Sequence, residues 1–141
     1  MSMEQHTTGP LVMVVDDLTE TRLLLRKLLE ESGWRVVEAV NGRDALEVAA
    51  HTQPALILMD LNMPVLDGFS ATLHLRGVEG MRHVPVIAIT AHDSEEFRAA
   101  ARAVGCAEFV VKPIDFDRLT ILMERLIKEN PALNAEPVFI A

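Results

Sequence analysis

The sequence predicts a doubly wound, three-layer α/β domain, and three observations predict it. Five short apolar runs alternate with five stretches of helical periodicity along 141 residues, the pattern of strand–helix pairs packed in layers. No hairpin signal joins one run to the next, so the strands are parallel and the helices are right-handed crossovers. Four of the five runs end on Asp, Thr or Lys, as expected where buried strands leave the core at one edge of a sheet.

The elements follow in order. Leu11–Val15 is an apolar strand that ends in Asp16-Asp17. Residues 19–32 form a helix with Thr21, Leu24, Leu25, Leu28 and Leu29 at inward spacing, and Gly33 stops it. A second strand over 34–39 meets the Asn41-Gly42 turn, where Asn41 caps a helix to His51 with Ala45, Leu46 and Ala49 inward. The third strand, 55–59, drives into Asp60, and Pro64 and Asp67-Gly68 follow within eight positions. A shorter helix over 68–76 is anchored by Phe69 and Leu73. The fourth strand, 85–90, ends in Thr90. Asp93 and Glu96 make a capping box for a helix with Phe97, Ala100 and Val104 inward, closed by Gly105. The fifth strand is 109–113, ending in Lys112-Pro113, and the last helix, 116–129, carries the stripe Leu119, Leu122, Met123 and Leu126.

Length gives one domain, over 11–130, between a polar arm at 1–10 and a short tail at 131–141 in which Val138, Phe139 and Ile140 are apolar enough to dock. No apolar run is long enough to span a membrane, and the first residues lack the basic start and apolar core of a signal peptide. The single cysteine, Cys106, agrees with a reducing, cytoplasmic setting. A net charge of −8 with no basic cluster argues against nucleic acid.

In a parallel sheet the strand ends share one edge, where open α/β domains bind ligands. That edge collects Asp16, Asp17, Asp60, Thr90 and Lys112. Three neighbouring carboxylates repel one another unless a cation relieves them, and carboxylates plus water and phosphate are the usual surroundings of Mg²⁺. Lys112 and the Thr90 hydroxyl suit phosphoryl oxygens. The set is built for phosphoryl transfer onto a carboxylate.

The residues Val14-Val15-Asp16-Asp17, Met59-Asp60-Leu61-Asn62-Met63-Pro64, Asp67-Gly68, Ala88-Ile89-Thr90-Ala91 and Lys112-Pro113 appear in order, each at a strand end or the turn after one. With them the sequence resembles the receiver domain of two-component response regulators, over residues 10–129. The resemblance implies a flavodoxin-like (βα)5 fold with strand order 2-1-3-4-5. It implies that Asp60 accepts a phosphoryl group from a phosphohistidine on a histidine kinase or phosphotransfer protein. Mg²⁺ would be held by Asp17 directly, by Asp16 largely through water, by Asp60 and by the backbone carbonyl of Asn62. Thr90, its neighbour Ala91 and Lys112 would hold the phosphoryl oxygens. Phe109 would be the aromatic switch, Asn62 and His92 would tune water access during dephosphorylation, and the Lys112–Pro113 bond would be cis, aiming the ammonium into the site. Output would be a change in protein–protein binding or self-association through the fourth helix, fifth strand and fifth helix.

Other classes fit less well. A phosphohydrolase with Asp60 as nucleophile wants a second acid/base carboxylate and a cap, and Asn62 stands where that carboxylate belongs. A flavin or nucleotide site wants a Gly- or Ser/Thr-rich loop after the first strand, where this chain has Asp16-Asp17-Leu18-Thr19-Glu20. A receiver excised from a larger hybrid kinase stays open; the short arm and tail favour a free-standing regulator. The bland assignments are surface positions for His6, His51, His74 and His83, packing for Met13, Met59, Met63 and Met123, and a buried, inert Cys106. Asp44 and Asp67 are read as helix-start residues.

Overall fold

The computed structural model describes residues 9–63 and 65–130; the expected arm before Gly9, Pro64 and the tail with Val138, Phe139 and Ile140 lie outside the described residues. Five strands, β1 (Leu11–Val15), β2 (Arg35–Ala39), β3 (Leu56–Asp60), β4 (Val86–Thr90) and β5 (Glu108–Val111), alternate with α1 (Thr19–Glu31), α2 (Gly42–Thr52), α3 (Gly68–Leu75), α4 (Glu95–Ala103) and α5 (Phe116–Glu129). All pairings are parallel and the strand order is β2-β1-β3-β4-β5. This is the flavodoxin-like (βα)5 arrangement. No helix among the described residues is long and apolar enough to cross a membrane.

Alternation along the strands divides the core in two. Met13, Val15, Ile57, Met59, Val86 and Ala88 face one side, where they meet Ala45 and Ala49 of α2, Ala71 and Leu75 of α3 and Ala101 of α4. Val12, Val14, Leu56, Leu58, Ile87 and Ile89 face the other, against Leu25 and Leu29 of α1 and Leu119 and Met123 of α5. Every residue of β3 and β4 is buried, including the terminal Asp60 and Thr90. Each fully buried Leu, Ile or Met in these layers contributes about 1.5–3 kcal/mol over its exposed state. The sheet centre is thus the stiffest place from which to present a side chain at the edge.

Helix starts are marked as the sequence suggests, with one correction. Asn41 accepts from the Asp44 N–H, while Asp44 accepts from the Val40 N–H, and Asp67 accepts from the Ser70 N–H. The structure adds a cap for α5, where Asp115 accepts from the Arg118 N–H. α4 is not capped by Asp93 and Glu96. Ser94 is its cap, accepting from the Phe97 N–H at 3.1 Å, and Asp93, one residue before the cap, pairs with Arg98 instead. Gly33 and Gly105 follow their helices at φ +98° and +101°, where a side chain would be strained.

Three residues expected inward are exposed: Leu24, Leu73 and Ala100. Each is adjacent in sequence to a residue that does point in (Leu25, Thr72 and Ala101), and one residue turns a helix by about 100°. Each buried stripe is narrower than the apolar spacing allowed. Strand ends also differ by a residue or two: Trp34, Pro85, Lys112 and Pro113 lie just outside the ladders.

Candidate functional site

Register brings the predicted site together. β1, β3, β4 and β5 end side by side, with Val15 paired to Met59, Asp60 to Ile89 and Thr90 to Val111. The chain leaving each strand delivers Asp16 and Asp17, Asp60, Thr90, and Lys112. Ligand oxygens of Asp16, Asp17 and Asp60 all lie within 4.8 Å of one another, with Asp17 the most open of the three. The Lys112 ammonium stands 3.7 Å from Asp60 Oδ2 and 3.8 Å from Asp16 Oδ2, long for a hydrogen-bonded pair. One cation faces three carboxylates, so negative charge is in surplus.

Asp60 registers that surplus. Burial pushes its carboxyl above the ordinary aspartate range; the Asn62 N–H at 3.0 Å and the Lys112 charge pull down, while Asp16 and Asp17 push up. The net direction is up. A carboxylate set of this kind, with Asp16 and Asp60 buried and Asp17 open, suits a hard divalent ion with oxygen ligands, which removes the repulsion and leaves room for water and phosphate.

Thr90 is fully buried, and its hydroxyl oxygen accepts from the His92 N–H at 3.1 Å and from Asn62 Nδ2 at 3.3 Å. The backbone N–H of Lys112 donates to the Thr90 carbonyl at 2.8 Å, coupling the ammonium-bearing and hydroxyl-bearing residues directly. The Lys112–Pro113 peptide is cis. Asn62, Ala91 and His92 are exposed at the rim. The His92 ring lies 4.9 Å from that of Phe97 at a tilt of 35°, and Phe97 meets Phe69 edge-on at 5.5 Å.

Phe109 is not at the strand end. It sits on β5 opposite Ala88, half-buried, with the Arg98 guanidinium over its ring at 4.7 Å. Arg98 is in turn held by Asp93 at 2.8 Å. The ring borders a cleft of about 270 Å³ lined also by Val111, Pro113, Asp115 and Arg118.

The structure adds two residues that the apolar pattern hides. Arg22 and Glu38 are charged, yet Arg22 lies on the buried stripe of α1 with Leu25 and Leu29, and Glu38 lies within β2. The available signal was a cation in phase with buried leucines opposite an acid in a strand. Of the remaining residues, Met13, Met59, Met63 and Met123 are buried in the core, and burial pushes the Cys106 thiol above its ordinary range, as for an inert small residue. His51 and His74 bond their own helices, and His83 is exposed.

Comparison with known proteins agrees with this geometry. The family model for the response regulator receiver domain matches residues 12–124. The transcriptional regulatory protein PrrA of Mycobacterium tuberculosis is 36% identical over 128 residues, covering 91% of this chain and 54% of PrrA. The chain therefore spans about half the length of that relative. The polar-differentiation response regulator DivK of Brucella anthropi is 37% identical over 107 residues, 76% of this chain and 87% of DivK. Among solved structures, the receiver domain of the sensor histidine kinase PA1611 from Pseudomonas aeruginosa superposes with a TM-score of 0.80 at 31% identity, covering 86% of this chain and all of that one. That receiver has a magnesium ion coordinated in its active site cleft.

Proposed function

This chain belongs to the response regulator receiver domain family, and from that membership we propose that it takes a phosphoryl group onto Asp60 and reports it through protein–protein binding. Receivers of two-component systems exchange phosphate with histidine kinases or phosphotransfer proteins. The observation that carries the assignment is the convergence of Asp60, at the end of a fully buried strand, with Asp16, Asp17 and Lys112. In the proposed step an Asp60 carboxylate oxygen attacks the phosphorus of a phosphohistidine. The P–N bond breaks and its electron pair leaves with the imidazole.

Asp16, Asp17, Asp60 and the Asn62 carbonyl would hold Mg²⁺, which would supply positive charge to offset that of the phosphoryl oxygens. Lys112 meets the remaining charge, and the Thr90 hydroxyl donates to a phosphoryl oxygen from the bed that Asn62 and His92 make for it. Those two exposed residues flank the approach of water and tune the lifetime of the product by orientation. The domain catalyses nothing beyond its own phosphorylation and dephosphorylation. Labelling by a phosphohistidine donor with Mg²⁺ tests the site: Asp60→Asn should lose it entirely, and robust labelling of that variant sinks the assignment. With Asn62 and His92 both changed to Ala, the label should decay at an altered rate; decay at the parent rate removes them from the scheme.

The output reading rests on Phe109. Phosphorylation adds about two negative charges at the edge. Thr90 moves toward them, and Phe109 turns inward to fill the space behind it, remodelling the face of α4, β5 and α5. A partner protein or a second copy then selects the altered face. The exposed Ala99, Ala100 and Ala103 permit close approach there. Amide spectra with and without beryllofluoride and Mg²⁺ decide it: changes should reach Phe109 and residues 94–104. Changes confined to the loops around Asp60 mean that the relay is wrong.

A further inference from the structure

Arg22 is 8% exposed and divides its guanidinium between two partners. Nε donates to Glu38 Oε1 at 2.7 Å, an ion pair across to β2, while Nη1 donates to the Asp16 carbonyl at 2.8 Å. The second bond is the unusual one. A charge-assisted donor has been placed on the main chain at the point where β1 ends, between two acidic side chains. The Asp16 carbonyl belongs to the peptide plane that joins Asp16 to Asp17. Holding that plane fixes the last torsion of Asp16 and the first of Asp17, and with them the direction in which the Asp17 side chain leaves the backbone.

The neighbouring bonds complete the clamp. The Asp16 N–H donates to the Ala39 carbonyl at 3.2 Å, the Leu18 N–H donates to Asp16 Oδ1 at 2.8 Å, and the Arg22 N–H donates to the Leu18 carbonyl at 3.0 Å. Residue 16 is thus held at its N–H, its carbonyl and its carboxylate. Among the described residues no hydrogen bond holds the Asp17 carboxylate, so its placement depends on the backbone beneath it. Glu38 also accepts from Arg26 Nη1 at 2.6 Å, and Arg26 reaches Glu30, but neither Arg26 bond touches the Asp16–Asp17 peptide.

We propose that Arg22 is a positioning residue for the cation site: by tying the Asp16 carbonyl to Glu38 of β2 it presents the Asp17 carboxylate, acting on metal affinity through the backbone and touching neither metal nor phosphate. The proposal rests on the reading of Asp16, Asp17 and Asp60 as a divalent-cation site. Partners that orient metal ligands from behind are typically worth about 10- to 100-fold in affinity.

Calorimetric titration with Mg²⁺, alongside thermal unfolding without it, tests the proposal on the parent chain, Arg22→Ala, Arg22→Lys and Arg26→Ala. Arg22→Ala should weaken Mg²⁺ binding by about tenfold. Arg22→Lys, whose single ammonium lacks the fork needed for both partners, should fall between it and the parent. Arg26→Ala shares the Glu38 partner, so it should lose thermal stability while keeping the parent's Mg²⁺ affinity. Parent-like affinity in Arg22→Ala overturns the proposal, and so does an equal loss in Arg26→Ala, which would assign the effect to general loosening. Should Arg22→Ala not fold, equal Mg²⁺ affinities in Arg22→Lys and Arg26→Ala overturn it. A parent chain that binds no Mg²⁺ overturns the cation-site reading itself, and the proposal with it.

Discussion

Two clusters of charge meet at Asp16, which lends its carboxylate to one and its carbonyl to the other. In the first, Asp16, Asp17 and Asp60 cluster beside one ammonium, that of Lys112, which stands 3.8 Å from Asp16 and 3.7 Å from Asp60. In the second, Glu38 alone receives two guanidinium groups at 2.6–2.7 Å. Burial pushes both Asp60 and Glu38 upward. For Glu38 the hydrogen bonds from Arg26 and Arg22 more than reverse it, and its carboxyl ends below the ordinary glutamate range. For Asp60 the Asn62 N–H and Lys112 fall short, and its carboxyl ends above the ordinary range. The same chemistry, burial of an acid near a strand, is completed in one place and left incomplete beside it. A completed cluster stabilises; an incomplete one keeps its capacity for something that arrives.

The largest expected effect comes from breaking the completed cluster. Glu38→Gln leaves Arg22, nine-tenths buried, without its counter-charge. Removing one partner of such a pair costs about 3–5 kcal/mol when buried; the nearby Asp16 carbonyl and the partial exposure of Glu38 reduce this to about 2 kcal/mol. Denaturant unfolding should show that loss with an unchanged slope.

Relieving the incomplete cluster should do the reverse, and less. Asp60→Asn removes one of three crowded carboxylates and should stabilise the metal-free domain by about 1 kcal/mol at neutral pH, or about 3–5 °C in melting temperature. Added Mg²⁺ should narrow that gap, since it stabilises the parent more than the variant.

The pH dependences of these two changes sharpen the contrast. The raised Asp60 group contributes stability that is fully present below its unfolded pKa of about 3.9 and is lost as pH rises through its folded pKa. The advantage of Asp60→Asn should therefore be full at neutral pH and disappear in acid. The lowered Glu38 group contributes stability present above its unfolded pKa of about 4.3 and lost as pH falls through its folded pKa. The deficit of Glu38→Gln should likewise fade in acid, with opposite sign. Two variants with the same sign of pH trend would collapse the distinction between the clusters.

The fold and most of the site were legible because both depend on strands. Period-2 burial and parallel pairing need only apolar runs and the absence of hairpins, and strand ends on one edge bring Asp16, Asp17, Asp60, Thr90 and Lys112 together whatever the helices do. Helix faces were read less well. Leu24, Leu73 and Ala100 satisfy apolar spacing, yet the sheet accepts only a narrow line from each helix, and a neighbour occupies it. Asp93 and Ser94 both suit a cap, and the choice turned on Arg98, which drew Asp93 away. Arg22 and Glu38 were missed for a physical reason: polarity marks a residue as exposed unless its partner is known, and the partners are 16 residues apart.

Two glycines that touch no ligand bear on how this domain responds to change. A Cβ on Gly68 would strike the Asp60 carbonyl oxygen and come within 2.7 Å of Leu61 Cα; one on Gly42 would strike the Leu66 carbonyl oxygen. Between those two contacts the chain carries Val65 at φ +73°, a conformation that β-branched residues avoid. Neither glycine is free to become alanine, because what stands in the way is backbone with nowhere to retreat. In a saturation library scored for function, Gly42 and Gly68 should therefore rank among the least replaceable positions, near Asp60 itself. A reader of that library alone would credit them with chemistry, when what they contribute is the side chain they lack and the backbone bonds this permits, Gly42 N–H to the Leu66 carbonyl and Gly68 N–H to the Leu61 carbonyl.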